Sequence, residues 1–151
     1  MGKENLQFKY RCTRLPNDFI VTSAILKPKI EKKEAIESKM KEMLSKREET
    51  QPTNKATCGS TFKNPDGKSS LILEDSLELK AWSLIDRAGL RGKKMGRAMV
   101  SEKHSNFLIN LGGATANDLE ALGEHVRESV YQKYKVMLDW EVKRVGRNKL
   151  D

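Results

Sequence analysis

Residues 107–134, FLINLGGATANDLEALGEHVRESVYQKY, change from a strand pattern to a helix pattern and decide the fold class. Phe107–Asn110 is a short apolar run ended by a Gly-Gly pair, which predicts a strand. Asn117 followed by Glu120 has the spacing of a capping box, so we expect a helix to begin at Asn117. The predicted buried stripe of this helix, at helical spacing, consists of Leu119, Leu122, Val126 and Val130.

The rest of the chain mixes further strands and helices. Phe19–Leu26 is rich in β-branched residues and precedes a proline, which predicts a buried strand. Met137–Val145 alternates with period two, which predicts another strand. Ala81–Ala88 is predicted as a short helix closed by Gly89. Glu31–Arg47 is predicted as a helix whose buried stripe consists of Ile36, Met40, Met43 and Leu44. Because strands and helices do not alternate strictly, the predicted class is α+β.

Length and composition limit the possible classes of protein. The 151 residues suffice for one domain or two small ones, and 37% hydrophobic with 33% charged residues is outside the disordered range. The apolar runs are shorter than the about 20 residues of a transmembrane helix, and the N-terminus lacks the apolar core of a signal peptide. We therefore expect a cytoplasmic protein with no membrane contact. Cys12 and Cys58 have no CxxC spacing, so neither a metal site nor a disulfide is indicated.

The charge of the chain is basic but diffuse. Lys and Arg number 29 against 21 Asp and Glu, a net charge of +8. This excess fits either an ordinary solvated surface or an anionic ligand, such as nucleic acid or a nucleotide-linked metabolite. Aromatic residues make up only 6% and no dense basic stripe is present, so nucleic acid is not the expected partner.

Three positions carry groups that could do chemistry. Arg11 could bind a carboxylate or phosphate in a bidentate manner. Ser60 could act as a nucleophile or proton donor, in a loop where Lys63 and Asn64 supply donors for an anion. Glu141 lies on the polar face of the last predicted strand. The residues alone leave plainer interpretations open: a surface arginine, a serine in a turn, and a same-face charge pair.

The motifs in combination are more specific than any one of them, and they cover nearly the whole chain. They are FKYR (8–11), REETQP (47–52), GSTFKNP (59–65), KAWSLIDRAGLRG (80–92), VSEKHSNFLIN (100–110), ATAND (114–118) and LDWEVKRVG (138–146). In this order they resemble the UDP-N-acetylenolpyruvoylglucosamine reductase (UDP-N-acetylmuramate dehydrogenase) family, in its shorter-loop type.

The resemblance implies a fold and a function. The family reduces the enolpyruvyl ether of UDP-N-acetylglucosamine to UDP-N-acetylmuramate in peptidoglycan synthesis, with FAD and NADPH as cofactors. Residues 1–50 would be the end of an α+β FAD-binding domain, and residues 51–151 a mixed α+β substrate-binding domain. UDP-N-acetylglucosamine enolpyruvate is then the expected substrate, and the +8 charge is explained by its diphosphate together with ordinary surface.

The same resemblance implies roles for individual residues. Ser60 matches the serine that donates the proton quenching the substrate carbanion. Arg11 matches the arginine that binds the substrate carboxylate, and Glu141 matches the acidic partner that stabilises the enol. No metal is implied. The substrate-binding positions are Tyr10, Arg47 (near the diphosphate), Lys63 and Asn64.

The resemblance begins at the Tyr-Arg motif near Met1. We therefore expect a truncated or split enzyme, in which a separate N-terminal FAD-binding fragment supplies most flavin contacts. Residues 66–79 read as an insertion directly after the Ser60 loop. Two other functions stay open at this point: a non-catalytic remnant that at most binds UDP-sugar, and a basic nucleic-acid-binding module.

Overall fold

The computed structural model of the chain describes residues 6–8, 13, 15, 19–65 and 80–146. The chain divides into two compact units, Met1–Glu49 and Thr50–Asp151. Tyr10, Arg11 and the insertion predicted at 66–79 lie outside the described residues.

The first unit contains helix α1 (Lys33–Thr50), which confirms the predicted helix. Its predicted buried stripe is wrong, because α1 buries no residue. The exposed fractions of its apolar side chains are 41% for Ile36, 56% for Met40, 72% for Met43 and 57% for Leu44. Helical spacing therefore identified one apolar face correctly, but nothing described in residues 1–49 covers that face.

The strand predicted at Phe19–Leu26 is also wrong. Residues 19–30 have no regular secondary structure, and Ile20, Ile25 and Leu26 are at least 83% exposed. A β-branched sequence suits a pleated surface but forms a strand only against a hydrogen-bonding partner. The described part of residues 1–49 supplies no such partner strand.

The second unit is built on a four-stranded antiparallel sheet, in the order β1–β4–β3–β2. Strand β4 lies between β1 and β3, with Leu108 opposite Val100 and Ile109 opposite Thr57. The strands are β1 (Ala56–Ser60), β2 (Lys94–Met95), β3 (Ala98–Val100) and β4 (Phe107–Asn110). This sheet, together with the helices, confirms the α+β class.

Helix α3 (Ala116–Tyr134) packs on β2, β3 and β4, and helix α2 (Ala81–Arg87) packs on α3 and adds to the same core. Alternate residues of β4 divide between the two faces, because Leu108 joins the helix-facing core while Phe107 is buried outside that cluster. As predicted, α2 ends at Gly89, whose φ of 78° is left-handed. The core consists mainly of Phe62, Ala81, Leu84, Ile85, Val100, Leu108, Leu122, Val126, Val130 and Leu138.

Helix α3 confirms the predicted stripe but corrects its predicted start. Its N-cap is Thr115, two residues before Asn117. The Thr115 hydroxyl accepts a hydrogen bond from the Asp118 N–H at 3.1 Å, and the Asp118 carboxylate accepts one from the Thr115 N–H at 3.0 Å. The sequence contains two overlapping capping boxes, and the chain uses the earlier one. None of the described helices is long and apolar enough to cross a membrane.

Candidate active site

Ser60 is the last residue of β1, directly after a bulge. Between the pairs Thr57–Ile109 and Ser60–Phe107, β1 advances three residues while β4 advances two. Gly59 has a φ of 90°, in the left-handed region that favours glycine. A bulge with one extra residue re-aims the side chain that follows. The Gly-Ser pair therefore sets the direction in which Ser60 leaves the sheet.

Asn106 holds the backbone that follows Ser60. Its side-chain oxygen accepts from the Phe62 N–H at 3.0 Å, and its side-chain nitrogen donates to the Phe62 carbonyl at 2.9 Å. Its own carbonyl accepts from the Thr61 N–H at 2.8 Å. Asn106 is only 5% exposed, so these bonds form in a buried setting where an unpaired group would be costly. The Ser60 loop is thus fixed from the sheet side.

Glu141 approaches the same loop from the other side. The Glu141 N–H donates to the Thr61 carbonyl at 2.9 Å, and the Lys63 N–H donates to the Asp139 carbonyl at 2.9 Å. Between these two bonds lies an antiparallel bridge from Phe62 to Trp140. The strand predicted over Met137–Val145 is reduced to this one bridge. The fold nevertheless brings Glu141 next to Thr61, the residue that follows Ser60.

Asn64 links the loop to helix α2. Its side-chain oxygen accepts from the Ala81 N–H at 3.1 Å, where the first turn of α2 needs an acceptor. Lys63 and Asn64 are both half-buried. Their predicted substrate contacts stay predictions, and the Asn64 oxygen already has a structural partner.

Comparison with known proteins identifies the family to which this chain belongs. Residues 51–145 match the family model described as UDP-N-acetylenolpyruvoylglucosamine reductase, C-terminal domain. The chain belongs to this family. The matched range contains β1, Ser60, Asn106 and Glu141, and the family predicted from the motifs is confirmed.

Individual relatives agree with the family match. The chain is 50% identical to UDP-N-acetylenolpyruvoylglucosamine reductase of Ruegeria pomeroyi over 97% of its own length, and 49% identical to that of Jannaschia sp. over 97%. The crystal structure of UDP-N-acetylenolpyruvylglucosamine reductase (MurB) from Thermus caldophilus has a TM-score of 0.71 and 38% identity, covering 91% of this chain and 46% of that one. The chain spans about half the length of these curated relatives, 48% in both cases.

The structure does not test the other three positions predicted from the reductase family. Arg47 lies in the last turn of α1, in the first unit. Tyr10 and Arg11 lie outside the described residues. Their roles at the substrate diphosphate and carboxylate stay predictions.

The sequence reasoning missed the residues that hold Glu141's segment against α3. A Cβ at Gly123 would lie 2.6 Å from Cζ2 of Trp140 and closer still to Cη2, so the indole packs directly on the helix backbone. The Trp140 N–H donates to Glu124 at 2.9 Å. A glycine inside a strongly periodic helix was the available signal, because such a glycine usually has a packing reason.

His104, a further residue absent from the predicted site, lies next to the Ser60–Phe107 pair. Its ring contacts Phe107, the β4 partner of Ser60, at 4.7 Å between centroids. Its Nδ1 accepts from the Asn106 N–H at 3.3 Å. Burial lowers the pKa of His104 below its usual 6.5, and the charge of Arg91 adds to this against an opposing backbone hydrogen bond. The ring is therefore held neutral.

This lowered pKa predicts a pH dependence of stability. The unfolded chain binds a proton at His104 near pH 6.5 while the folded chain does not, so the free energy of unfolding should fall as the pH drops from 7 toward 5. The slope contributed by one such group is at most about 1.4 kcal/mol per pH unit. Urea unfolding across this range measures it. His104→Gln should flatten the slope and His125→Gln should not; an unchanged slope in His104→Gln would contradict the assignment.

Proposed function

We propose that this chain supplies the substrate-binding side of UDP-N-acetylmuramate dehydrogenase activity, the reduction of UDP-N-acetylglucosamine enolpyruvate in peptidoglycan synthesis. The observation that carries the proposal is the 2.9 Å hydrogen bond from the Glu141 N–H to the carbonyl of Thr61, the residue after Ser60, inside the matched family domain. In the proposal, the Ser60 hydroxyl is the proton donor and the Glu141 carboxyl is the group that stabilises developing charge.

The proposed chemistry on the substrate is an addition across the enolpyruvyl double bond. FAD, reduced by NADPH and held by a separate fragment, would supply a hydride, and with it two electrons, for the terminal carbon. Negative charge then develops on the carbon beside the carboxylate. Ser60 donates its hydroxyl proton to that carbon and regains a proton from solvent. Glu141 stabilises the enol form of the intermediate, and Arg11 would bind the carboxylate.

The described helices do not fit the diphosphate of FAD at their N-termini. The carboxylate of Asp118 occupies the first turn of α3, where hydrogen bonding to the Thr115 backbone lowers the pKa of this carboxyl. The oxygen of Asn64 occupies the start of α2, and α1 carries Glu34 in its first turn. A helix N-terminus that binds a phosphate needs open N–H groups and no competing acid. The starts of the described helices therefore offer no open site for the flavin diphosphate, and the proposal assigns flavin binding to a separate fragment.

We accordingly expect the purified chain not to retain FAD. After incubation with excess FAD and desalting, its visible absorbance should show no bound flavin, because the helix starts described above are already capped. The intact reductase of Ruegeria pomeroyi, treated in parallel, is the comparison. A yellow preparation with one flavin per chain would contradict this prediction.

The proposed partner is a separate FAD-binding fragment, and the apolar face of α1 supports it. This face, defined by Ile36, Met40, Met43 and Leu44, is 41–72% exposed. Contiguous exposed apolar surface commonly marks a protein interaction site. Charged side chains such as Lys33 and Glu37 pair with each other along the same helix. The fragment would cover the apolar face and supply the cofactor.

Mixing the chain with the recombinant first half of the Ruegeria pomeroyi reductase tests this function. We expect a complex that oxidises NADPH only when UDP-N-acetylglucosamine enolpyruvate is present. Met40→Asp on the apolar face should prevent the complex, whereas Ser38→Asp on the opposite face should not. A complex that binds the UDP-sugar without turnover would instead identify a non-catalytic remnant.

A further inference from the structure

The segment that carries Glu141 is not part of a regular strand, so its position depends on individual contacts. Within the described residues, its one β-bridge to the Ser60 loop is Phe62–Trp140, with a few backbone hydrogen bonds beside it, such as that from the Glu141 N–H to the Thr61 carbonyl. The ring of Phe62 lies 5.0 Å from the ring of Trp140, with an interplanar angle of 49°. A single bridge fixes a backbone less firmly than a ladder of bridges does. The position of the Glu141 segment therefore depends strongly on the contacts of the Trp140 side chain.

The Trp140 indole is held from several directions by α3 and by the chain that follows it. One face packs on the backbone at Gly123, where a Cβ would not fit. Its N–H donates to Oε1 of Glu124 at 2.9 Å. The guanidinium of Arg144 lies 5.2 Å from the ring centroid, in a cation–π arrangement. The indole is only partly buried, but these contacts on several sides, with its N–H bonded, leave it little freedom to turn.

Glu124 connects both ends of this segment to α3. Its Oε2 accepts from Arg127 at 2.5 Å, and Arg127 in turn donates to the Leu138 carbonyl at 2.7 Å. Its Oε1 lies 3.8 Å from Arg144. Burial tends to raise the pKa of Glu124, but the hydrogen bonds from Trp140 and Arg127 and the charges of both arginines outweigh it, so the pKa is lowered. The carboxylate is therefore ionised at neutral pH and accepts from both partners.

We propose that Glu124 is a positioning residue for Glu141, acting through Trp140 and Arg127. Glu124 bonds to Trp140 directly and to Leu138 through Arg127, and it lies near Arg144, so its partners bracket Glu141. This inference rests on the proposed function, in which Glu141 stabilises the enol. It adds a residue on α3 that touches neither substrate nor cofactor in that scheme.

Hydrogen exchange of the Glu141 amide tests the positioning without any need for turnover. In the full chain, this N–H is protected by the Thr61 carbonyl. Glu124→Ala should speed its exchange about tenfold, the effect expected from loss of a charge-assisted hydrogen bond. The amide of Val126, in the core of α3, should change far less. Glu124→Gln keeps an acceptor for the indole and should restore part of the protection.

Glu128→Ala is the matched control, since Glu128 is an exposed glutamate on the same helix. It should leave exchange at both amides unchanged. If Glu124→Ala leaves the Glu141 amide as protected as before, or speeds Glu141 and Val126 equally, the positioning role is overturned. In the second case the substitution merely destabilises the whole unit.

The reconstituted reductase supplies the functional arm of the same test. Glu124→Ala should lower kcat about tenfold and change KM by less than about twofold, because Glu141 is proposed to act on the transition state. An unchanged kcat beside faster Glu141 exchange would overturn the positioning role. If the unsubstituted chain gives no turnover, the proposed function fails, while the exchange measurement still decides whether Glu124 holds Glu141.

Discussion

Replacing Ser60 by alanine is expected to lower kcat of the reconstituted reductase by about 10²–10⁴-fold, the usual contribution of a positioned general acid. Ser60 follows the bulge at Gly59, and the loop beyond it is fixed by Asn106 and by the Glu141 segment. The proton donor is therefore held in place rather than recruited during the reaction. KM for the UDP-sugar should change little, because the proton moves only in the transition state. Initial rates of substrate-dependent NADPH oxidation measure both constants.

Two further measurements separate a chemical role of Ser60 from a structural one. NADPH oxidation coupled to an artificial electron acceptor should be unchanged in Ser60→Ala, since that reaction needs no proton at the substrate carbon. Ser60→Cys should recover part of kcat, because a thiol can also donate a proton. A rate in Ser60→Ala close to that of the parent chain would show that another group protonates the product.

The sequence predicted correctly those helices that are determined by residues within or next to them. Helix α2 carries its own stop signal at Gly89, and α3 carries its apolar stripe, so both were predicted with small errors at their ends. Strand β1 was missed because ATCGS has no apolar alternation and contains a bulge. The strands β2 and β3 are two and three residues long, too short to show a period. Strand β3 forms because β4 offers it a partner, and β2 forms against β3.

The candidate site was likewise predicted only in part: its motif residues were found from the sequence, and the contacts that hold them were not. The motifs gave Ser60 and Glu141 their predicted roles, but the placement of their two segments depends on Thr61, which is far from Glu141 in the sequence, and on Asn106, which is far from both. No periodicity encodes a side-chain amide that pairs with a distant backbone. The wrong prediction of a strand at Phe19–Leu26 shows the opposite situation. There the local pattern is strong, but the described residues of the first unit contain no strand to pair with it.

Gly123→Ala is expected to destabilise the second unit by about 2–4 kcal/mol, although alanine favours helix over glycine by about 1 kcal/mol. The added methyl group would meet the six-membered ring of Trp140. The indole has no easy escape, because Phe62 and Glu124 hold it from other sides. Removal of a fully buried tryptophan costs about 3–5 kcal/mol, and displacing the partly buried Trp140 loses a part of such packing energy. Urea unfolding followed by circular dichroism measures the difference.

A double-mutant cycle with Trp140→Ala assigns this cost to the contact itself. Once the indole is gone, Gly123→Ala should become neutral or stabilise by up to about 1 kcal/mol, because only the helix preference remains. The sign of the effect therefore reverses between the two backgrounds. Equal destabilisation in both backgrounds would mean that glycine at 123 serves the helix backbone rather than Trp140. In that event the indole would not be what requires glycine in the middle of α3, and the packing that places Glu141 beside Thr61 would need another explanation.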